Sequence, residues 1–314
     1  MKSIAQRAGL IAAVAALVAG AAVATVATVA AVGHDGPAPN AATGVFGSVN
    51  RFRTGRTLVI PHGGGDGLFP EDTMVAYTST IAMGADVVDV DLRLSGDGTL
   101  IAFHDPTVDR ITGAKGSVAS MTYAQLSTLD AGYTFHPAGR DDDHPFRGKG
   151  VVIPTFESIL QRFPHTLLSL DLKDESMSMV PPLCSLLTRY HRTNDVFVGS
   201  NSDPLILQFR KACPTVETSA IMADVYADRA ARASNDPSFV SAVSVDQPPY
   251  RSNGKTLVDA MSLAWSHEHG IAILTWVVNS EADMKTLVGL GVDGIYTSYP
   301  DRLLRLLGRC TAAC

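Results

Sequence analysis

The stretch EDTMVAYTSTIAMGADVVDVDL, residues 71–92, places a run with helical periodicity directly before a short apolar run rich in valine. Similar pairs recur along the chain in both directions. Short, nearly continuous apolar strands between amphipathic helices are typical of parallel strands that are buried on both faces. The stretch therefore predicts βα units around a buried parallel sheet, which is an α/β fold.

The same patterns predict the other elements. The strand candidates are residues 57–61, 87–92, 100–103, 167–172, 196–198, 218–221, 242–245, 272–278 and 294–297. The helix candidates are residues 71–83, 180–190, 204–212, 223–234, 257–268, 281–290 and 301–307. A closed barrel needs eight strands, so one of the nine candidates is expected to be peripheral or misassigned. Residues 132–154 are expected to be a loop insertion.

Composition limits the classes of protein that the chain can be. Of its 314 residues, 46% are hydrophobic and 18% are charged, and the formal net charge is −6. This length suits two average domains or one α/β barrel of roughly 250 residues. The apolar content excludes a disordered or collagen-like polymer. The negative charge argues against a nucleic-acid partner, which needs a basic face, and against electrostatic adhesion to an anionic bilayer.

The N-terminus has the pattern of an export signal. Lys2 and Arg7 precede an apolar run at residues 9–32, as in secretory signal peptides, and the run is also long enough to span a bilayer. We therefore expect an exported protein with either a cleaved signal or a retained anchor. The predicted organisation is a signal or anchor at 1–32, a linker at 33–56, the folded domain at 57–308 and a cysteine-containing tail at 309–314.

Four cysteines lie in the region after the signal: Cys184, Cys213, Cys310 and Cys314. An even number in an exported chain permits disulfides. Cys184 and Cys213 fall on consecutive predicted helices, and the other two are close together at the C-terminus. We expect two structural bridges or free thiols. A zinc site has little support, because no further cysteine or histidine lies at ligand spacing.

Three aspartates are candidate metal ligands. Asp89 and Asp91 are two apart on one predicted strand, so they share a face, and Asp171 at the end of another strand can join them. Three carboxylates in an apolar barrel would repel one another unless a cation lay between them, and oxygen ligands favour Mg²⁺ or Ca²⁺. The alternative is that one aspartate points outward and forms a surface ion pair.

Two histidines are candidates for general acid and base. His62 and His104 each follow a predicted strand, and imidazole titrates near neutral pH. The alternative for each is a hydrogen-bonded structural residue. Gly63-Gly64-Gly65 after His62 would let the backbone approach a ligand closely.

In this order, the motifs resemble those of the glycerophosphodiester phosphodiesterase family over about residues 57–307. The segments His62-Gly-Gly-Gly, Pro70-Glu-Asp-Thr73, Asp89-Val-Asp91 and Phe103-His-Asp-Pro106 are similar to its H-R-G, P-E-N-T, E-x-D and F-H-D-P motifs. Asp171-Leu-Lys173, Trp276-Val-Val-Asn279 and residues 291–300 are similar to its E-I-K, W-T-V-N and G-V-D-G-I-I-T-D-x-P motifs. The resemblance implies a single-domain TIM-type (β/α)8 barrel that cleaves phosphodiesters such as glycerophosphocholine to glycerol 3-phosphate and an alcohol.

The resemblance also implies roles for individual residues. His62 and His104 would be the acid/base pair, and Asp89, Asp91 and Asp171 would hold a divalent metal, Ca²⁺ or Mg²⁺. Glu71 and Lys173 map onto family residues at the metal and phosphate. Arg93, two after Asp91 on the same face, and Trp276 are further candidates for substrate or phosphate binding.

Several positions depart from the family pattern. Gly63 replaces an arginine and so removes a phosphate-binding cation, which Arg93, Arg147 or Lys173 would have to replace. The other replacements are Asp89 and Asp171 for glutamate, Asp72 for asparagine and Ser298 for aspartate. The H-x-G-G start resembles a subgroup linked to lysophospholipase D activity. The expected partner is therefore a small phosphodiester or a lysophospholipid, with peripheral membrane contact left open.

Two other functions remain open at this point. The nearer is a barrel enzyme of the phospholipase D or sphingomyelinase D sort, which shares the paired histidines and carboxylates. The other is a non-catalytic lipid- or sugar-binding barrel. The replacement of the family's arginine by Gly63 and of its glutamates by Asp89 and Asp171 is the reason to consider it.

Overall fold

The structure is a computed structural model that describes residues 50–174 and 176–314, which belong to one compact unit. The predicted signal or anchor at 1–32 and residues 33–49 of the predicted linker lie outside the described residues. Within the described ranges, no helix is long and apolar enough to cross a membrane.

The elements alternate along the chain as the sequence predicts. The strands are β1 (Leu58–Pro61), β2 (Val87–Leu94), β3 (Leu100–Ala102), β4 (Leu167–Leu172), β5 (Val196–Gly199), β6 (Glu217–Thr218), β7 (Val245–Asp246), β8 (Arg251–Ser252), β9 (Lys255–Thr256), β10 (Ala272–Thr275) and β11 (Gly294–Thr297). The α-helices are α1 (Met74–Met83), α2 (Asp109–Thr112), α3 (Tyr123–Leu126), α4 (Phe156–Arg162), α5 (Val180–Arg189), α6 (Asp203–Ala212), α7 (Met222–Ser234), α8 (Ala260–Glu268), α9 (Glu281–Leu290) and α10 (Pro300–Leu306).

Eight of these strands form a parallel barrel in the order β1, β2, β4, β5, β6, β7, β10, β11. Continuous parallel ladders run from β2 through β4 and β5 to β6, and from β7 through β10 and β11 to β1. Two single backbone hydrogen bonds close the seams, from Asp86 N to Val59 O at 3.0 Å and from Ala220 N to Val245 O at 3.0 Å. The predicted TIM-type barrel is therefore present.

The ninth strand candidate, β3, is the peripheral one. It pairs antiparallel with the end of β2, with Ala102 opposite Leu92 and Leu100 opposite Leu94. The small antiparallel hairpin of β8 and β9 was not predicted, because strands of two residues carry no periodicity. The Asn253-Gly254 pair between them has positive φ at both residues, which is the usual signal of such a turn.

Two predicted helix starts were wrong by three residues. Helix α1 begins at Met74 rather than at residue 71, because the Thr73 hydroxyl accepts a hydrogen bond from Ala76 N and caps the helix. Helix α8 begins at Ala260 rather than at 257, because the Asp259 carboxylate caps Ser262 N at 2.8 Å. The hydrophobic periodicity does not show which residue caps a helix, so it does not fix where the helix begins. The short helices α2, α3 and α4 were not predicted, whereas residues 132–154 contain neither helix nor strand, as expected.

Both ends of the described chain pack on the barrel. The Phe52 ring is buried against Phe197 in an edge-to-face contact with centroids 4.8 Å apart, although residues 50–56 were assigned to the linker. Arg309 donates to the Asp86 carboxylate, which ties the predicted tail to the start of β2. Disulfides join Cys184 on α5 to Cys213 after α6, and Cys310 to Cys314 in the tail.

Candidate active site

The site lies at the carboxyl ends of the barrel strands, where the chain after β1 makes a tight left-handed turn. His62 opens this turn, and Gly64 within it has φ of 81°. A Cβ at Gly64 would lie 2.8 Å from the Cβ of Ala76, so only glycine fits there. The amide of Gly63 donates to Asp89 Oδ2 at 3.1 Å and thereby fixes His62 beside β2.

His104 reaches the same end of the barrel from a strand that runs the other way. Phe103 N donates to Asp91 O at 2.8 Å, and Arg93 Nε donates to His104 O at 2.8 Å. Because β3 has only three residues, its last residues still lie near the end of β2. His104 follows a strand as predicted, although β3 is the peripheral strand and not one of the eight in the barrel.

The three predicted carboxylates come together inside the barrel mouth. Asp91 and Asp171 are register partners on β2 and β4. Lys173 Nζ lies 3.2 Å from Asp91 Oδ1 and 2.6 Å from Asp171 Oδ2. Asp89 Oδ1 accepts a hydrogen bond of 2.7 Å from Ser169 Oγ on β4. Asp89 and Asp91 are both buried, so neither forms the surface ion pair of the alternative interpretation.

Charge in this cluster is only partly balanced. Burial raises the pKa of Asp89. Burial also raises the pKa of Asp91 to about 7; Lys173 opposes that rise, and repulsion from Asp89 and Asp171 adds to it. The pKa of Lys173 is raised because the attraction of Asp91 and Asp171 outweighs its own burial. One ammonium group therefore faces three carboxylates.

The donor set fits a hard divalent cation in its chemistry. It consists of carboxylate oxygens whose mutual repulsion and burial favour an added positive charge. Within residues 50–174 and 176–314, no three candidate ligands are arranged to enclose an ion, and the Lys173 ammonium binds both Asp91 and Asp171.

Each predicted catalytic histidine has a carboxylate at Nδ1. His62 Nδ1 lies 3.2 Å from Asp66 Oδ2, and His104 Nδ1 lies 2.8 Å from Asp105 Oδ1. This leaves Nε2 of each ring for a reacting group. Burial lowers the pKa of His62, but the hydrogen bond to Asp66 and the charges of Asp89, Asp66 and Asp91 outweigh it and raise the pKa to about 9.

The sequence analysis gave no role to Asp66 or Asp105, although Asp105 belongs to the F-H-D-P motif. Each is an acidic residue within four positions of its histidine. Asp105 also binds Arg110 Nε at 2.6 Å, and the same guanidinium pairs with Glu71. Glu71, predicted at the phosphate, is therefore already engaged by Arg110.

The structure places the three candidate replacement cations in different surroundings. Arg93 is buried and bound to Asp174 at 2.5 Å, and Arg147 stacks 4.4 Å from the centroid of the Tyr133 ring. Of the three, Lys173 alone lies between the candidate metal carboxylates. Trp276, predicted to bind substrate, follows β10 at the mouth, is 44% exposed and donates from Nε1 to Gln247 O.

A cavity of about 1340 Å³ opens at the opposite end of the barrel, at the amino ends of the strands. Phe52, Thr57 and Glu217 are among the residues that line it, and none of the predicted catalytic residues does.

Comparisons with known proteins identify the family of the chain. A model of the glycerophosphoryl diester phosphodiesterase family matches residues 62–302. The glycerophosphodiester phosphodiesterase of Bacillus subtilis strain 168 is 29% identical over 261 residues, which cover 80% of this chain and 87% of that protein. Lysophospholipase D GDPD3 of Mus musculus is 22% identical over 287 residues, covering 82% of this chain and 86% of that protein.

Solved structures share the fold. A phosphodiesterase of Oleispira antarctica, in complex with the product sn-glycerol-3-phosphate, superposes with a TM-score of 0.62 at 20% identity. The superposition covers 81% of this chain and 97% of that one, which supports the barrel assignment over nearly the whole described region.

Proposed function

The chain belongs to the glycerophosphoryl diester phosphodiesterase family, and from that membership we propose that it cleaves glycerophosphodiesters or lysophospholipids by histidine acid/base catalysis. The observation that carries the proposal is the meeting of His62, His104 and the aspartate cluster at one end of the barrel. The products would be an alcohol and glycerol 3-phosphate, or its acylated form from a lysophospholipid. The product-bound Oleispira relative supports this product class.

The two histidines divide the proton transfers. The Asp66 carboxylate, 3.2 Å from His62 Nδ1, stabilises the protonated imidazole, which suits His62 to protonate the leaving alkoxide from Nε2. His104, with Nδ1 on Asp105, takes the proton of the attacking hydroxyl on the other side of phosphorus, as in-line displacement requires. That hydroxyl belongs to water or to the glycerol 2-position, and a cyclic phosphate product would identify the latter.

Asp89, Asp91 and Asp171 would hold a divalent cation, Ca²⁺ or Mg²⁺. When bound, such an ion would polarise a phosphoryl oxygen and offset the phosphate charge. The Lys173 ammonium, which binds Asp91 and Asp171, would supply a second positive charge for the phosphate.

We propose that the substrate carries an apolar group. Gly63 gives no cation beside His62, which weakens the hold on a small diester bound mainly by its phosphate. Exposed apolar side chains follow several barrel strands: Met177 after β4, Met222 after β6, and Trp276 and Val277 after β10. An acyl chain packed on them would contribute roughly 0.8 kcal/mol per buried methylene. The relationship to a lysophospholipase D supports the same preference.

The decisive experiment measures choline release from glycerophosphocholine and from lysophosphatidylcholine. It is run in chelator and after addition of Ca²⁺ or Mg²⁺. We expect activity only with a divalent ion and a higher kcat/KM for lysophosphatidylcholine. Phosphocholine as product would contradict the proposed bond cleavage, and a higher kcat/KM for glycerophosphocholine would contradict the apolar preference.

We also propose that the protein is exported. The support is the charged and then apolar sequence of residues 1–32 together with four cysteines, all paired in the structure. The N-terminus of protein recovered from outside the cytoplasm tests this, since cleavage near residue 32 is expected of a signal and an intact N-terminus of an anchor.

A further inference from the structure

The carboxylate at His62 belongs to the same turn as the histidine. Asp66 N and Gly65 N both donate to His62 O, at 3.1 and 2.8 Å, so the turn closes on the histidine itself. Gly67 N donates to Ser298 O at 3.1 Å and attaches the turn to the end of β11. The Asp66 backbone is therefore fixed relative to the His62 ring.

Asp66 differs from Asp105 in what else it binds. Asp105 shares its charge between His104 and Arg110. Among the described residues, the one ion pair of Asp66 is with His62, and its buried Oδ1 accepts no hydrogen bond. Burial raises the pKa of Asp66, but the hydrogen bond and charge of His62 outweigh it and keep the carboxyl ionised. His62 is therefore the one charged partner of Asp66 among the described residues, and a hydrogen bond from Ser298 also favours the ionised carboxyl.

We propose that Asp66 is a positioning residue that holds the proton of His62 on Nδ1 and directs Nε2 at the substrate. This rests on the proposed function, in which His62 protonates the leaving group. A charged partner at Nδ1 fixes both the tautomer and the orientation of an imidazole, and loss of such partners commonly lowers activity about 10–100-fold.

The test combines kinetics with a measurement on His62 itself. Asp66→Asn keeps the shape of the side chain and removes its charge. We expect kcat to fall about 10–100-fold with KM changed less than about twofold, and Asp66→Glu to restore part of kcat. Asp236→Asn, at an exposed turn far along the chain, is the matched control and should leave kcat unchanged.

Nitrogen-15 NMR of the histidine rings measures the protonation of His62 Nδ1 and Nε2. A purely structural role of Asp66 would leave that protonation unchanged. In Asp66→Asn we expect the titration midpoint of the His62 imidazole to move to lower pH, although Asp89 and Asp91 of β2 still face the ring. We also expect the neutral ring to carry its proton on Nδ1 less often than in the wild type. Unchanged kcat and an unchanged His62 titration in a folded Asp66→Asn protein would overturn the proposal. Full activity of His62→Ala would instead refute the proposed function, while the NMR result on Asp66 would still stand.

Discussion

Asp72 accepts a hydrogen bond of 2.7 Å from the hydroxyl of Tyr77, and both side chains are buried beside the aspartate cluster. Asp72 Oδ1 also accepts from Asp91 N, whereas its Oδ2 has no partner among the described residues. Burial, followed by repulsion from Asp91 and Glu71, raises the pKa of Asp72 well above its ordinary value. A neutral acid in this place is close in shape to the asparagine of the family pattern.

We predict that Asp72→Asn stabilises the protein as pH rises. An aspartate in an unfolded chain has a pKa near 3.9, and the pKa of Asp72 in the folded protein is higher. At a pH between these two pKa values, the native state therefore binds one more proton than the unfolded state. Wild-type stability then falls above about pH 4, by up to about 1.4 kcal/mol per pH unit, and an asparagine shows no such loss. Urea unfolding from pH 4.5 to 8 in chelator measures this. Parallel stability curves for the two proteins would contradict it.

The sequence predicted the parts of the fold that rest on long buried runs. Strands β4 and β11 occur with the predicted bounds, because every residue of such a strand is apolar or faces the barrel. The two-residue strands β6 and β7 overlap the predicted strands 218–221 and 242–245, which were each two residues too long because the apolar runs extend beyond the paired residues.

The sequence predicted those site residues whose polar side chains lie at or directly after the end of a predicted strand. His62, the aspartates and Lys173 belong to this class. Asp66 was missed because its role depends on a glycine turn that folds the chain back on His62, and residue spacing does not encode that path. The engagement of Arg93 by Asp174 was missed for a similar reason, since the two residues lie on different strand ends.

We predict that His62→Ala and His104→Ala each lower kcat by about 10²–10⁴-fold, the usual contribution of a general acid or base. Both side chains are partly exposed at the mouth, so melting temperatures should stay close to that of the wild type. His165→Ala, in a loop away from the cluster, is the control for loss of an imidazole. Near-wild-type turnover by either active-site variant would show that the paired-histidine mechanism is wrong.

Removing Lys173 should make the fold more dependent on a metal. Lys173→Met leaves Asp91 and Asp171 without their shared cation and should lower the free energy of unfolding by about 2 kcal/mol. The loss is smaller than for a fully buried ion pair because Asp171 is partly exposed. We expect a lower melting temperature in chelator and a larger rise on adding Ca²⁺ or Mg²⁺ than in the wild type. Lys115→Met, which breaks an exposed pair with Asp109, should change neither. Equal metal responses in Lys173→Met and wild type would place the cation elsewhere.

The two disulfides should differ in their effect on stability. Cys184 and Cys213 are 29 residues apart, and closing a loop of that length stabilises the native state by about 3–4 kcal/mol. Cys184→Ala with Cys213→Ala should lower the free energy of unfolding by about that amount. The Cys310 and Cys314 pair, separated by four residues, closes a much shorter loop and should matter less. Free thiols at Cys184 and Cys213 in non-reducing mass mapping of exported protein would contradict the bridge.

Gly63→Arg should shift specificity toward small diesters. A Cβ at Gly63 would lie 3.4 Å from the Cβ of Glu71, an ordinary contact, although φ of 52° makes a side chain there mildly strained. The added guanidinium would supply the phosphate-binding cation of the family motif and could bind two phosphate oxygens at once. We expect KM for glycerophosphocholine to fall about tenfold, equivalent to about 1.4 kcal/mol, with a smaller change for lysophosphatidylcholine, whose acyl chain already contributes to binding. Gly63→Gln has a long polar side chain without the charge and separates the cation from the strain. If Gly63→Arg and Gly63→Gln change both substrates alike, the missing arginine does not set the substrate preference.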